Sequence, residues 1–343
     1  SRTTNFRIGV VHSSMDRWSG ILKVPLYPNS KARYRVAASL CLSSSSKSLT
    51  VPSANAIFFN GDRVEGTGNP VIERLSDLER IAEILVSKFG GSINAWVIEA
   101  STFNGPFAVY KDLIPSINRW GEPKSYDGTG FPASTSTILL LSHCLKEAKK
   151  IISGRQKESF QVGVSASCFC QPKTFILGFS KGGTVLNQLV TELGSAEVKS
   201  TEHPTNVNEQ LINGGLVNIQ AENQIIPSSK EILLNSIAEI HYVDVGLNSA
   251  GAYLTDHDVI ESLSKRLMQG AAGIRFVLHG TPRQWCDSRR VLIRNEKDKL
   301  VQLLESQAQR SGGKLRLCER FYFADKPPSM QMHFEIIEIL DVS

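Results

Sequence analysis

The sequence predicts an α/β fold, a mostly parallel sheet with helices on both faces. Three observations carry that prediction. Short apolar segments alternate with segments of helical period along most of the chain. Gly, Pro, Asn and Asp punctuate the junctions. One apolar strand, Thr174 to Phe179, runs through a Gly-rich turn directly into an amphipathic helix. With 343 residues, 41% of them hydrophobic, the chain can bury a large core as one domain with insertions.

The first residues are different in kind. Arg2, Arg7, Arg17, Lys23, Lys31, Arg33, Arg35 and Lys47 face the single acid Asp16, and the segment ends in a serine tract from Ser43 to Ser48. An Arg-rich, Ser-rich, acid-poor composition is that of an organelle transit peptide; the alternative is a solvated basic arm. Met15 offers an alternative start. Residues 1–50 are therefore read as an arm and 51–343 as the domain.

Within the domain, Ala56 to Phe59 reads as a buried strand ending at the turn signal Asn60-Gly61-Asp62. Ser76 with Glu79 forms a capping box that opens a helix with Leu78, Ile81, Ala82, Leu85 and Phe89 on one face, stopped by Gly90 and Gly91. Ala95 to Ile98 is the next strand. A long polar loop then leads to a helix around Ile138 to Ile152, and the strand at Thr174 follows. Val185, Leu186, Leu189, Val190 and Leu193 give the succeeding helix its period, with Gly194 as its stop. Ser195 to Ser229 is polar and broken by Pro204, Gly214, Gly215 and Pro227, and reads as an insertion. Regularity returns with strands at Ile240 to Val245, Ile274 to Leu278 and Leu315 to Phe323. The intervening helices fall near Val259 to Met268 and Glu296 to Gln309, and a last helix starts near Phe334.

The chemistry centres on Gly178-Phe179-Ser180-Lys181-Gly182. A strand that turns abruptly into a helix strains the apical residue and lifts its side chain clear of the sheet, and glycines on either side make room for it. That is the Gly-x-Ser-x-Gly nucleophile elbow of an α/β-hydrolase, with Ser180 as nucleophile. An ordinary strand and crossover helix joined by a glycine turn is the alternative. A serine needs a base, and the base needs an acid to fix its tautomer. In this fold the chain order is Ser, acid, His. Among His12, His143, His203, His241, His257, His279 and His333, only His333 lies between the last strand and the last helix, where the fold delivers its base. A helix-start histidine making a local cap is the competing reading.

The acid is expected at Asp287, in the loop after the strand that ends at His279-Gly280, with Asp244 as the fallback at the end of the preceding strand. Either carboxylate could instead pair with Arg289 or Arg290. His279 reads as structural. The backbone N–H groups of Lys181 and of the turn near Gly61 or Asp62 are the expected oxyanion donors, because negative charge builds on the carbonyl oxygen in the transition state.

Composition excludes other classes. A net charge of +5 without a basic stripe interleaved with aromatics gives no nucleic-acid surface. Six cysteines without regular spacing do not form a disulfide framework, and Cys168 and Cys170 lack a second ligand pair, so no metal or other cofactor is expected. No apolar stretch approaches the ~20 residues that span a bilayer. The glycines at 178–183 lack the spacing of a phosphate-binding loop.

Together Phe59-Asn60-Gly61-Asp62, Gly178 to Gly182, the segment from Thr281-Pro282 to Asp287, and Pro328-Ser329 followed by His333-Phe334 resemble a family represented in humans by a mitochondrial protein named after a chromosome-two open reading frame. The resemblance covers most of residues 50–343. Met15 to Gly20 looks like the opening of plant members. The resemblance implies an α/β-hydrolase-like fold, a Ser-Asp-His triad and, for animal members, mitochondrial residence. The expectation is thus a serine hydrolase acting on an ester, thioester or amide of an acyl substrate. The alternative is a catalytically silent hydrolase-fold protein that binds a protein partner.

Overall fold

The computed structural model describes residues 16–154, 171–198 and 224–343. The expected Cys168–Cys170 pair and most of the insertion between Ser195 and Ser229 lie outside the described residues. Among the described residues there are ten strands: β1 (Asp16–Pro25), β2 (Arg33–Leu42), β3 (Ala54–Phe59), β4 (Ile93–Ile98), β5 (Thr102–Asn104), β6 (Phe107–Val109), β7 (Lys173–Phe179), β8 (Ile237–Val243), β9 (Ile274–Gly280) and β10 (Leu315–Phe321). Eight of them form one sheet in the order β1-β2-β4-β3-β7-β8-β9-β10. From β4 to β10 every neighbouring pair is parallel, whereas β1 and β2 join antiparallel at one edge. The fold is that of an α/β hydrolase.

The sheet is buried on both faces, and period-two alternation divides its side chains between two layers. Ile57 and Phe59 of β3, Trp96 and Ile98 of β4, and Ile240 and Tyr242 of β8 enter one cluster with helices α3 (Pro132–Gly154), α4 (Gly183–Ser195), α5 (Lys230–Ser236), α6 (His257–Met268) and α8 (Val291–Arg310). Phe58, Val97, Leu177, Phe179 and Val243 point the other way, into a smaller cluster under α1 (Pro70–Leu75), α2 (Leu78–Phe89) and α9 (Met330–Ile339). The short helix α7 (Pro282–Trp285) follows β9.

Three expectations need correction. Residues 16–42 are not an arm: β1 and β2 are sheet strands. Trp18, Leu22 and Val24 alternate inward along β1, and Tyr34, Val36, Ala38 and Leu40 along β2, while the basic side chains take the intervening positions. Ser76 does not open the second helix. It caps the end of α1, and the carboxylate of Asp77 accepts from Glu79 N at the start of α2. His333 lies in the first turn of α9 rather than in the loop before it, since Ser329 is the N-cap and its hydroxyl accepts from Met332 N.

One polar anchor sets α3 against α4. The buried Glu192 carboxylate on α4 accepts from the backbone of Ala133 and Ser134 and from the Ser134 hydroxyl, so an acid meets the positive end of the long helix. Burial raises the pKa of Glu192 above the usual range, against the lowering effect of these bonds.

Candidate active site

The elbow is built by close approach of backbones. Ser180 follows β7 with φ at +56°, in the left-handed region, and opens a 3₁₀ turn over Ser180–Gly182 that leads into α4. A Cβ at Gly182 would lie 2.0 Å from the Phe59 carbonyl oxygen, so no larger residue fits between the elbow and the end of β3. Gly61 is equally confined: a Cβ there would be 2.7 Å from Ser180 Cβ and 3.2 Å from Lys181 N. The two backbone positions expected to supply oxyanion donors therefore lie side by side next to Ser180.

Side chains fix that turn from outside. The Tyr110 hydroxyl donates to the carbonyl of Asn60. Asp62 accepts from Ala108 N at 2.7 Å and from Lys181 Nζ at 2.8 Å, and the same ammonium donates to the Trp120 carbonyl at 2.7 Å. It also stands 4.8 Å from the Phe107 ring centroid. Sequence reasoning assigned Lys181 only a backbone role. Its side chain is buried and ties the residue after Ser180 to the loop between β4 and α3, a link whose partners are distant in sequence.

His333 Nδ1 donates to Asp244 Oδ2 at 2.7 Å. The Asp244 carboxylate is fully buried and also accepts from Thr281 N at 2.8 Å and from the Thr281 hydroxyl. Asp244 is itself left-handed, φ +43°, and its own N–H donates to the His279 carbonyl at 2.8 Å. With Nδ1 committed to the carboxylate, the imidazole presents Nε2 as its basic nitrogen. The ring packs against Phe179, the residue before Ser180, with centroids 4.7 Å apart. Ser180 and His333 both line one cleft of about 150 Å³, together with Asp62, Lys181 and Phe334.

Asp287 does not reach this histidine. Thr281 caps α7 immediately after β9, and the chain is carried through α7 into a 3₁₀ turn over Ser288–Arg290. There Asp287 is the N-cap, bonding Arg289 N at 3.0 Å and pairing with the Arg289 guanidinium at 3.7 Å. The fallback Asp244 takes the place expected for Asp287. Its signal in the sequence was its position one residue beyond a buried strand, where the backbone fixes a side chain without a loop between.

His279 is structural in the sense expected, but it belongs to a buried relay. His279 Nε2 and His241 Nδ1 are 2.9 Å apart, His241 Nε2 meets Glu239 at 2.9 Å, and His279 Nδ1 meets the Tyr322 hydroxyl at 2.8 Å. Burial, in each case the largest cause, lowers the pKa of both imidazoles, that of His279 strongly.

A profile of the C2orf69 family matches residues 133–309, from the start of α3 almost to the end of α8. The chain belongs to the C2orf69 family. The mitochondrial protein C2orf69 of Homo sapiens is 25% identical over 76% of this chain and 66% of its own length. The homologue of Danio rerio is 24% identical over 76% of this chain and 64% of its own. The chain thus spans about two thirds of these C2orf69 relatives. Among solved structures, siderophore hydrolase EstA from Aspergillus nidulans is 13% identical with a TM-score of 0.41, covering 99% of this chain and 98% of its own. A ferulic acid esterase is 11% identical with a TM-score of 0.40, covering 94% and 97%. Among the described residues no helix is long and apolar enough to cross a membrane.

Proposed function

We propose that the protein is a serine hydrolase that cleaves an ester, thioester or amide through Ser180, His333 and Asp244. The observation that carries this reading is the buried Asp244–His333 hydrogen bond beside the cleft that also holds the strained Ser180. His333 Nε2 takes the Ser180 proton as Oγ attacks the carbonyl carbon, and returns it to the leaving group as that bond breaks. Water then repeats the sequence on the acyl-enzyme. Asp244 holds the tautomer and stabilises the imidazolium, while Lys181 N and the turn at Gly61 receive the oxyanion. The mitochondrial name of the relatives supports the same residence for this chain.

Labelling with a fluorophosphonate probe tests the reading. Wild-type protein is expected to label at Ser180 and the folded Ser180→Ala variant is not. Absence of labelling in folded wild type would refute an activated serine and favour the partner-binding alternative.

A further inference from the structure

The cleft beside Ser180 holds more cationic groups than the catalytic steps require. Arg283, at the start of α7, and Arg290, in the 3₁₀ turn before α8, line it together with Gln284. Among the described residues neither arginine forms an ion pair. Asp287, the acid between them in sequence, is engaged with Arg289. Arg290 donates only to the neutral Gln284 side chain, at 3.3 Å, and the buried Nε of Arg283 has no hydrogen-bond partner. Burial, followed by the positive charge of Arg283, lowers the pKa of Arg290. The two guanidinium groups are close enough to repel, Asp287 and Asp244 offset part of that repulsion at Arg290 without forming an ion pair with it, and an orphaned donor costs free energy. Both costs are relieved by an oxyanion, which planar guanidinium donors bind well.

The acids of the same cleft do not meet that need. Asp62 is neutralised by Lys181, and among the described residues Glu122, the other acid lining the cleft, forms no ion pair with either arginine. Asp244 is enclosed behind Thr281 and His333.

We infer that Arg283 and Arg290 form an anion subsite, so that the substrate is an acyl compound bearing a carboxylate or phosphate group close to its scissile bond. This rests on the hydrolase reading for the word substrate, but the anion subsite itself does not. Both residues lie between β9 and α8, a stretch the sequence marked as carrying part of the family resemblance and, in Arg289 and Arg290, as a source of partners for either carboxylate.

Two measurements on the full chain test it. In the first, wild-type protein and Arg283→Gln/Arg290→Gln are titrated calorimetrically with glutarate and with inorganic phosphate. Saturable binding of either, weakened roughly tenfold or more by the substitutions as expected for loss of a charge-assisted bond, supports the subsite. The tighter anion assigns the carboxylate or phosphate class. No saturable binding of either overturns the subsite, whether or not esters are cleaved. In the second, kcat/KM is compared for 4-nitrophenyl hemiglutarate and 4-nitrophenyl valerate. A preference for the charged ester that collapses in the double variant and is largely rescued by Arg283→Lys/Arg290→Lys supports the subsite. An equal loss on both esters would mean the arginines are merely structural and would overturn it. Anion binding without cleavage of either ester would refute the hydrolase reading and leave the subsite standing. Circular dichroism checks folding, and the single Gln variants replace the double one if it unfolds.

Discussion

Asp244→Asn and Asp287→Asn separate the two carboxylates that compete for the role of the acid. Asp244 offers its oxygens to three donors, Thr281 N, the Thr281 hydroxyl and His333 Nδ1, with no solvent at the site. In Asp244→Asn one oxygen can stay on Thr281 N, and the amide NH₂ then faces His333 Nδ1. A donor meets a donor unless the imidazole proton moves to Nε2, and an Nε2–H tautomer cannot accept from Ser180. By analogy with the same change in serine proteases, the labelling rate should fall about ten-thousand-fold. Because the shifted tautomer can accept from the new amide, the stability cost should be only about 1–2 kcal/mol. Asp287 makes one cap bond, which asparagine keeps, and one pair with the exposed Arg289, which it forfeits, so Asp287→Asn should leave the urea midpoint nearly unchanged and labelling intact. The assay is the pseudo-first-order rate of fluorophosphonate labelling, paired with urea unfolding. Loss of labelling in Asp287→Asn with retention in Asp244→Asn would refute the assignment.

Gly182→Ala should destabilise by at least about 3 kcal/mol, because its Cβ would overlap the rigid Phe59 carbonyl; an unchanged urea midpoint would contradict the close approach at the elbow. Lys181→Met should cost about 2–3 kcal/mol, since Asp62 and the Trp120 carbonyl both lose their cationic donor, while Asp62 keeps partial access to water. A thermal melt within a degree of wild type would exclude that role. His241 and His279 have folded pKa values below their ordinary value near 6.5, so the unfolded chain binds protons that the folded chain refuses. Their stabilising effect is complete above about pH 6.5 and lost as pH falls below it, by up to about 1.4 kcal/mol per pH unit for each imidazole. Urea midpoints at pH 7.5 and 5.5 should therefore drop in wild type and drop less in His279→Gln; equal drops would refute the coupling.

The strands and helices of the parallel core were legible because their signals are local. Short apolar runs within Ala54–Phe59 and Lys173–Phe179 and the helical period of Val185 to Leu193 survive any tertiary arrangement. The β1–β2 hairpin was hidden by composition: basic residues at the outward positions outweighed the inward alternation of Trp18, Leu22 and Val24. Ser180 and His333 could be named as candidates because chain order and turn chemistry constrain them. Choosing between Asp244 and Asp287 required knowing that Thr281 caps a helix and diverts the chain, which is a matter of three-dimensional direction rather than residue type. The Lys181–Asp62 pair, the Arg283–Arg290 cluster and the His241–His279 relay join residues from different elements, and no single window of sequence contains them.

Ser180 and Asp244 each stand one residue beyond a pair of partners in register, Phe179 on β7 and Val243 on β8, and both adopt left-handed backbone. Such a conformation costs a non-glycine residue about 1–3 kcal/mol, so adjoining strand ends bear the same kind of strain. Glycine at Ser180 would relax the backbone and lose only the hydroxyl, whereas glycine at Asp244 would relax it but strand the buried donors of Thr281 and His333. Laboratory evolution for thermal tolerance alone should therefore erode Ser180 early and leave Asp244 in place, since only the latter also anchors its neighbours. On the proposed reading, backbone ease and chemistry are opposed at Ser180 and coincide with anchoring at Asp244, so comparing the two positions measures how much fold strength each strained strand end consumes.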